Sequence, residues 1–324
     1  YGPALADVLA RYTALTGHAP LPPLWALGYH QSRWSYTPEA RVRRLADDFR
    51  EVHDVPCDAI HLDIDYMDGY RCFTWDPERF PDPAGLIADL HEQGFKVVTI
   101  VDPGIKADDG YAVCRSGLEE GVFCTLPDGT PVKGSVWAGD SLFPDFTSPR
   151  VRAWWGDWLK RLTDVGVDGV WNDMNEPAVF GLEGTTLPDA VWHDMDGRGG
   201  DHAGAHNVYG LQMARATAEG LDRLRPDQRR LSITRSGWAG VQRYAMSWTA
   251  DNAATWDHLG LTLPMVLNLG LSGLAFTGPD IGGFFGHPSA ELFTRWLQMS
   301  AFLPFFRSTT HSHDPDQEPW SWGE

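Results

Sequence analysis

Short, continuously apolar runs alternate with amphipathic helical patterns along nearly the whole chain, and this alternation limits the fold more than any other feature of the sequence. Runs such as "FKVVTIVD", "GVDGVW" and "RRLSITR" lack the in–out alternation of a half-exposed strand. Strands of this kind belong to a parallel sheet whose outer face is covered by helices. The segments between them supply those helices. "TPEARVRRLADDFREVHDV" offers Thr37 as N-cap, Pro38 at N1, and Val42, Leu45, Ala46 and Phe49 at helical spacing. "PDPAGLIADLHEQG" repeats the device, with Gly94 as its C′ residue. "TSPRVRAWWGDWLKRLTDVG" starts at Ser148–Pro149 and carries an apolar stripe through Val151, Trp154, Trp155, Trp158, Leu159 and Leu162.

Counting from "LWALGYH" through "AIHLDID", "YAMSWT" and "GLAFTG" to "AFLPFF" gives eight strands. Eight predicts an α/β chain folded as a (β/α)8 TIM barrel, since an open doubly wound sheet has fewer strands and no Gly-x-Gly-x-x-Gly turn follows the first one. Two connections are long, 106–144 after the third strand and 175–207 after the fourth, and are expected to carry function or small subdomains. The chain stops at "QEPWSWGE" soon after the eighth strand and starts at Tyr1 rather than methionine. The expectation is a single barrel domain over 1–324, truncated near its eighth helix and excised from a longer chain, with apolar surface exposed around "LWALGYH" and "AFLPFF".

In such a barrel the active site lies at the C-terminal ends of the strands. Those ends are polar throughout: Asp63 and Asp65 after the second strand, Asp102 after the third, Asp173 and Glu176 after the fourth, Arg235 after the fifth, Asp251 after the sixth, Asp280 after the seventh, and Arg307, His311 and His313 with the eighth. Helix capping accounts for any one acid but poorly for the whole ring. Carboxylates accept hydrogen bonds from sugar hydroxyls, and aromatic faces cover C–H surfaces; the fifteen tryptophans raise the case for carbohydrate. Glycoside cleavage needs two acids in opposed states, one ionised and one protonated. The balance of 26 basic against 44 acidic residues, a net charge of −18, argues against nucleic acid or an anionic membrane as partner. No metal or other cofactor is expected. "DID" as a metal-bound Asp-x-Asp is weakened because Asp63 and Asp65 point to opposite faces of a strand, and His311 and His313 lack a third ligand. A non-catalytic sugar-binding protein is the other alternative.

Cys57, Cys72, Cys114 and Cys124 form neither a dense scaffold nor a C-x-x-C pair and read as thiols of a reducing, cytoplasmic compartment. No apolar run reaches the ~18 residues of a membrane span, and no signal peptide is evident.

"WNDMNEP", together with "HLDIDYMDGYRCFTWDPERFPDP", "TRSGWAG", "SWTADN", "GPDIGGF" and "QEPW", resembles the catalytic barrel of glycoside hydrolase family 31, the retaining α-glucosidases, over nearly the whole chain and in the family's order. It is most similar to the bacterial α-glucosidase and glucosidase II-like branch. The resemblance implies exo-acting hydrolysis of a terminal α-linked glucose in a small α-glucoside or oligosaccharide. It implies Asp173 as nucleophile, Asp251 as general acid/base with the higher pKa of the two, and Glu176 as support close to them. It places Asp63, Asp280 and Arg235 on sugar hydroxyls and Trp137, Trp171, Met174, Trp248 and Phe284 around the sugar, with Ile105 beneath and Trp34 nearby. Strand parity also favours Asp173 over Asp168, which precedes the apolar centre and belongs to a cap or salt bridge at the lower end. Ala250, Cys72 and Pro279 depart from the family pattern without removing a reacting group. Thr309 stands where the family has a hydroxyl-binding histidine, which leaves two alternatives: His311 takes that contact over through a shifted loop, or Thr309 reflects a different substrate. α-Xylosidase, α-galactosidase-type, transglucosidase and lyase activities remain alternatives within the family.

Overall fold

The computed structural model describes residues 1–182 and 185–323. Two residues of the long connection after the fourth strand, and the last residue of "QEPWSWGE", lie outside the described residues.

The strands run Tyr29–Gln31, Ala59–Leu62, Lys96–Val101, Gly169–Asn172, Leu231–Thr234, Met246–Trp248, Thr277–Gly278 with Asp280–Ile281, and Phe306–Ser308. All their pairings are parallel, in an order that follows the chain around the sheet. The seventh strand closes the ring in two pieces. Thr277–Gly278 pairs with the sixth strand, and Asp280–Ile281 pairs with the eighth. Pro279 stands at the break, where its missing N–H cannot join either ladder. Gly278 is needed at the closure, since a Cβ there would meet the Phe305 carbonyl oxygen at 2.0 Å.

Helices Glu39–Asp47, Pro83–Glu92, Pro149–Trp158 and His202–Leu224 follow the first four strands, and Trp256–Leu271 and Ala290–Ser300 follow the sixth and seventh. The helix from Pro149 is interrupted at Leu159 and resumes as Lys160–Thr163, where one continuous helix was expected. Between the fifth and sixth strands there is only a 3-10 turn, Val241–Arg243. The N-terminal helix Leu5–Thr16, which sequence reading missed, abuts that turn: Gln242 Nε2 donates to Thr16 Oγ1 at 3.0 Å and to the Gly17 carbonyl at 2.8 Å.

Three other expectations need correction. "LWALGYH" begins as a 3-10 turn over Leu24–Leu27, and the strand starts only at Tyr29. "AFLPFF" is displaced similarly. Ala301, Phe302 and Leu303 donate back into the preceding helix, Pro304 ends that pattern, and pairing begins at Phe306. After the eighth strand the chain makes the turn Pro319–Trp322, which packs on the outer side of the barrel. Trp320 packs on Phe49 and His53, and Trp322 stacks on Phe293. Leu24, Leu27 and Phe302 are exposed as expected, and among the described residues further exposed apolar side chains lie along Trp256–Leu271.

The connection after the third strand carries a small antiparallel sheet, Ile105–Lys106 with Gly139–Leu142 and Lys133–Val136, and the one after the fourth carries the hairpin Trp192–His193 with Gly200–Asp201. The two are joined by a bridge between Ser135 and Phe180.

Candidate active site

"WNDMNEP" divides its polar residues between two faces. Asn172 turns toward the helices: it accepts from Thr217 Oγ1 at 2.6 Å and donates to the Ile233 carbonyl at 2.8 Å. Asn175 donates to Thr234 Oγ1 and accepts from the Ser236 amide. Both asparagines are buried and tie the strand end to its fifth-strand neighbour. Asp173 faces the opposite way from Asn172, as strand parity requires. Its amide donates to the Val101 carbonyl, which continues the ladder with the third strand. Met174 then takes a left-handed backbone, φ 53°, and turns the chain off the strand. Asp168 lies at the other end, paired with His91 at 2.7 Å and Lys96 at 3.1 Å.

The inward face opens into a cavity of about 300 Å3 at the C-terminal ends of the strands. Trp34, Asp63, Trp137, Trp171, Asp173, Met174, Arg235, Trp248, Asp251, Asp280, Phe284 and His311 all line it, each singled out from sequence. Two residues to which the resemblance gave a role at the site do not. Ile105 is buried in the small sheet opposite Leu142, and Ile100 takes the place expected of it in the cavity wall. Glu176 is turned to Arg235, accepting from Nε and Nη2 at 2.8 Å each. Asp65 serves the surrounding loops through Ser35, Tyr70 and Arg79.

Arg235 is the electrostatic centre. Held from behind by Glu176, it presents Nη1 to Asp173 Oδ1 at 3.2 Å and to Asp251 Oδ2 at 3.8 Å. Those two oxygens are therefore no more than about 7 Å apart, although the residues come from different strands. Ala250 and Asp251 both have left-handed backbones, φ 36° and 43°, and the Asp251 amide donates to Asp280 Oδ2 at 3.1 Å. Strained non-glycine conformations gather where the surrounding structure fixes a side chain for a task.

Sequence reading left Arg307 without a role, yet it forms part of the cavity wall. It is buried, donates to Asp280 Oδ1 at 2.9 Å, and lies over the rings of Trp171 at 4.6 Å and Trp248 at 5.2 Å. Its signal was its place at the eighth strand end opposite Asp280. Thr309 and Phe285 also line the cavity, so Thr309 and His311 both reach it.

Burial governs the acids. It raises Asp173 to about 6, against the opposing pull of Arg235, with the Asp251 charge adding to the rise. Asp251 is raised by its own burial and by Asp280. Burial also raises Asp280 despite Arg307, and holds Asp63 well above the ordinary carboxylate range. Asp173 and Asp251 are thus both raised by burial, and Arg235 opposes the rise in each.

Among the described residues, one group has metal-ligand composition: Cys124, Asp145 and His193, all buried. Its members do not line the cavity, and Asp145 already accepts from Thr147, His193 and the Asp194 amide.

The glycosyl hydrolases family 31 TIM-barrel domain matches residues 19–324. Alpha-glucosidase 2 of Bacillus thermoamyloliquefaciens is 51% identical over 323 residues, covering 100% of this chain and 41% of that protein. Neutral alpha-glucosidase AB of Homo sapiens is 46% identical, over 98% of this chain and 34% of its own length. The crystal structure of the glucosidase II alpha subunit bound to alpha3-Glc2 superposes with a TM-score of 0.95 at 36% identity, covering all of this chain and 35% of that one. A family 31 alpha-glucosidase from Bacteroides thetaiotaomicron gives 0.89 at 44% identity, with 100% and 52% covered. The chain thus spans about two fifths or less of the length of the two named curated relatives.

Proposed function

The chain belongs to glycosyl hydrolase family 31, and from that premise we propose that it is the catalytic barrel of a retaining, exo-acting α-glucosidase that removes a terminal α-linked glucose from a small glucoside or oligosaccharide. The observation that carries this reading is Arg235 spanning Asp173 and Asp251 inside a cavity suited to a sugar ring. Retaining chemistry places its two carboxyl groups ~5–5.5 Å apart, and a bridge that keeps the nearer oxygens within about 7 Å suits such a pair.

In the first step an Asp173 oxygen attacks the anomeric carbon while the glycosidic oxygen leaves with the Asp251 proton. In the second, Asp251 takes a proton from water, and the water oxygen displaces Asp173 from the same carbon. Two inversions restore the α configuration. Asp63 and the Asp280–Arg307 pair supply polar contacts for ring hydroxyls, and the perpendicular Trp171–Trp248 pair, 5.5 Å between centroids, supplies an apolar wall. All four cysteines are free and buried, which suits a reducing compartment such as the bacterial cytoplasm. Among the described residues no helix is long and apolar enough to cross a membrane.

Nitrophenol release from the α-glucosyl, α-xylosyl and α-galactosyl nitrophenyl glycosides tests the reading. The expected order has the glucoside first by at least an order of magnitude. A preference for the xyloside would move the assignment to α-xylosidase, and no release from any of them would leave a sugar-binding protein.

A further inference from the structure

Asp102 ends the third strand beside the strand that carries Asp173. Val101 is in register with Asn172, so Asp102 and Asp173 follow as neighbours on adjacent parallel strands. Two residues earlier, Ile100 pairs with Trp171 and both line the cavity. Side chains two apart share a face, so both carboxyls turn toward the barrel axis. Asp102 does not line the cavity, however. It is 7% exposed, its Oδ1 is buried, and among the described residues that oxygen has no hydrogen-bond partner and the carboxyl enters no ion pair.

The titratable groups that face it are Asp63 and Tyr66 from the second strand and its turn, Cys72 from the following loop, Asp173 and Glu176 from the fourth strand end, and Arg235 from the fifth. Arg235 is the one cation in that set, and Asp173, Glu176 and Asp251 already share it. A second ionised carboxyl would be buried there uncompensated.

We infer that Asp102 is a positioning residue for the nucleophile: it stays a neutral acid behind Asp173, so that the one negative charge these two neighbours can sustain falls on the carboxyl that faces the sugar. The inference rests on the reading of Asp173 as nucleophile. Burial and the Asp173 charge push Asp102 up to about 8, whereas Asp173, beside Arg235, is raised only to about 6. The pair titrates as a unit, and the guanidinium beside Asp173, with no partner on Asp102 Oδ1 among the described residues, is what places the charge on the one and the proton on the other.

Carboxyl 13C NMR of aspartate-labelled protein, titrated from pH 4 to 10, tests this without depending on turnover. Asp102→Asn should remove a resonance that is protonated at neutral pH and titrates near pH 8. Asp173→Asn, by removing the neighbouring charge, should lower the midpoint of that same resonance by about one pH unit or more. A lost resonance that is already ionised at neutral pH would overturn the inference, as would a midpoint unmoved by Asp173→Asn. If Asp102→Asn does not fold, the response to Asp173→Asn decides alone. Failure of the glycosidase reading shows separately, as absence of turnover on every α-glycoside by the wild-type chain.

Discussion

Arg235 joins Asp173 and Asp251, the two acids proposed to react, to Glu176, so the roles of the three carboxylates are separable by what each loses on substitution. Asp173→Ala should abolish turnover on every substrate, and azide added to that variant should yield β-glucosyl azide by one inversion. Asp251→Ala should spare glycosylation by α-glucosyl fluoride, whose leaving group needs little protonation. Both outcomes are read by product NMR; azide rescue in a Glu176 variant instead would show the wrong acid had been chosen. Glu176→Gln keeps a hydrogen-bond acceptor for Arg235 but loses the charge, so kcat should fall by about 10²-fold at most, with measurable turnover remaining. Because Asp173 as the proposed nucleophile must be ionised and burial raises it to about 6, kcat/KM should decline as the pH falls below that value. A sugar in the cavity would exclude water from Asp251 and raise it further, toward the protonated state its proposed role needs. At this scale the sequence was informative wherever position along a strand decides direction. Asp168 and Asp173 were separable by parity and by place on the strand. Arg307 and Asp102 were not assigned, because their significance lies in partners across the barrel: Asp280 for one, Asp173 for the other.

At the scale of elements, the fourth strand is held in place by a helix pair that crosses on glycine. A Cβ on Gly220 would meet the Gly156 Cα at 2.6 Å, and one on Gly156 would meet the Gly220 Cα at 2.9 Å. The contact lets Trp155 reach Thr217, which in turn holds Asn172. Gly220→Val should therefore destabilise the chain by about 1–3 kcal/mol through overpacking. It should also lower kcat by disturbing the strand that bears Asp173, and denaturant unfolding alongside kinetics would check both. The period of the apolar residues made these helices legible in advance. It could not reveal that the fifth-to-sixth connection has no α-helix and lies against the N-terminal helix, since that depends on a contact between residues 226 apart, Thr16 and Gln242. The late start of the first and eighth strands escaped for a local reason: "LWAL" and "AFL" are apolar in either conformation, and periodicity cannot choose between turn and strand over so few residues.

Over the whole molecule, the alternation of strands and helices determines a closed ring, and the ring brings Asp63, Asp173, Arg235, Asp251, Asp280 and Arg307 to one end from six different strands. What the alternation does not specify is how the outer surface is covered. Along Trp256–Leu271, Leu261 is 53% exposed, Leu267 58% and Leu271 49%, beside exposed Trp256, Leu263 and Met265. So many exposed apolar side chains along one helix favour association. Leu261→Glu with Leu267→Glu should raise the solubility of this chain, measured by light scattering, without lowering its melting temperature; a fall in that temperature would mean the face is covered in the folded chain. The central claim concerns retention, and the most direct measurement is the anomer of glucose first formed, followed by 1H NMR before mutarotation. Fresh α-glucose from an α-glucoside is the result expected of two displacements through Asp173. β-Glucose as the first product would mean a single displacement by water and would contradict the assignment.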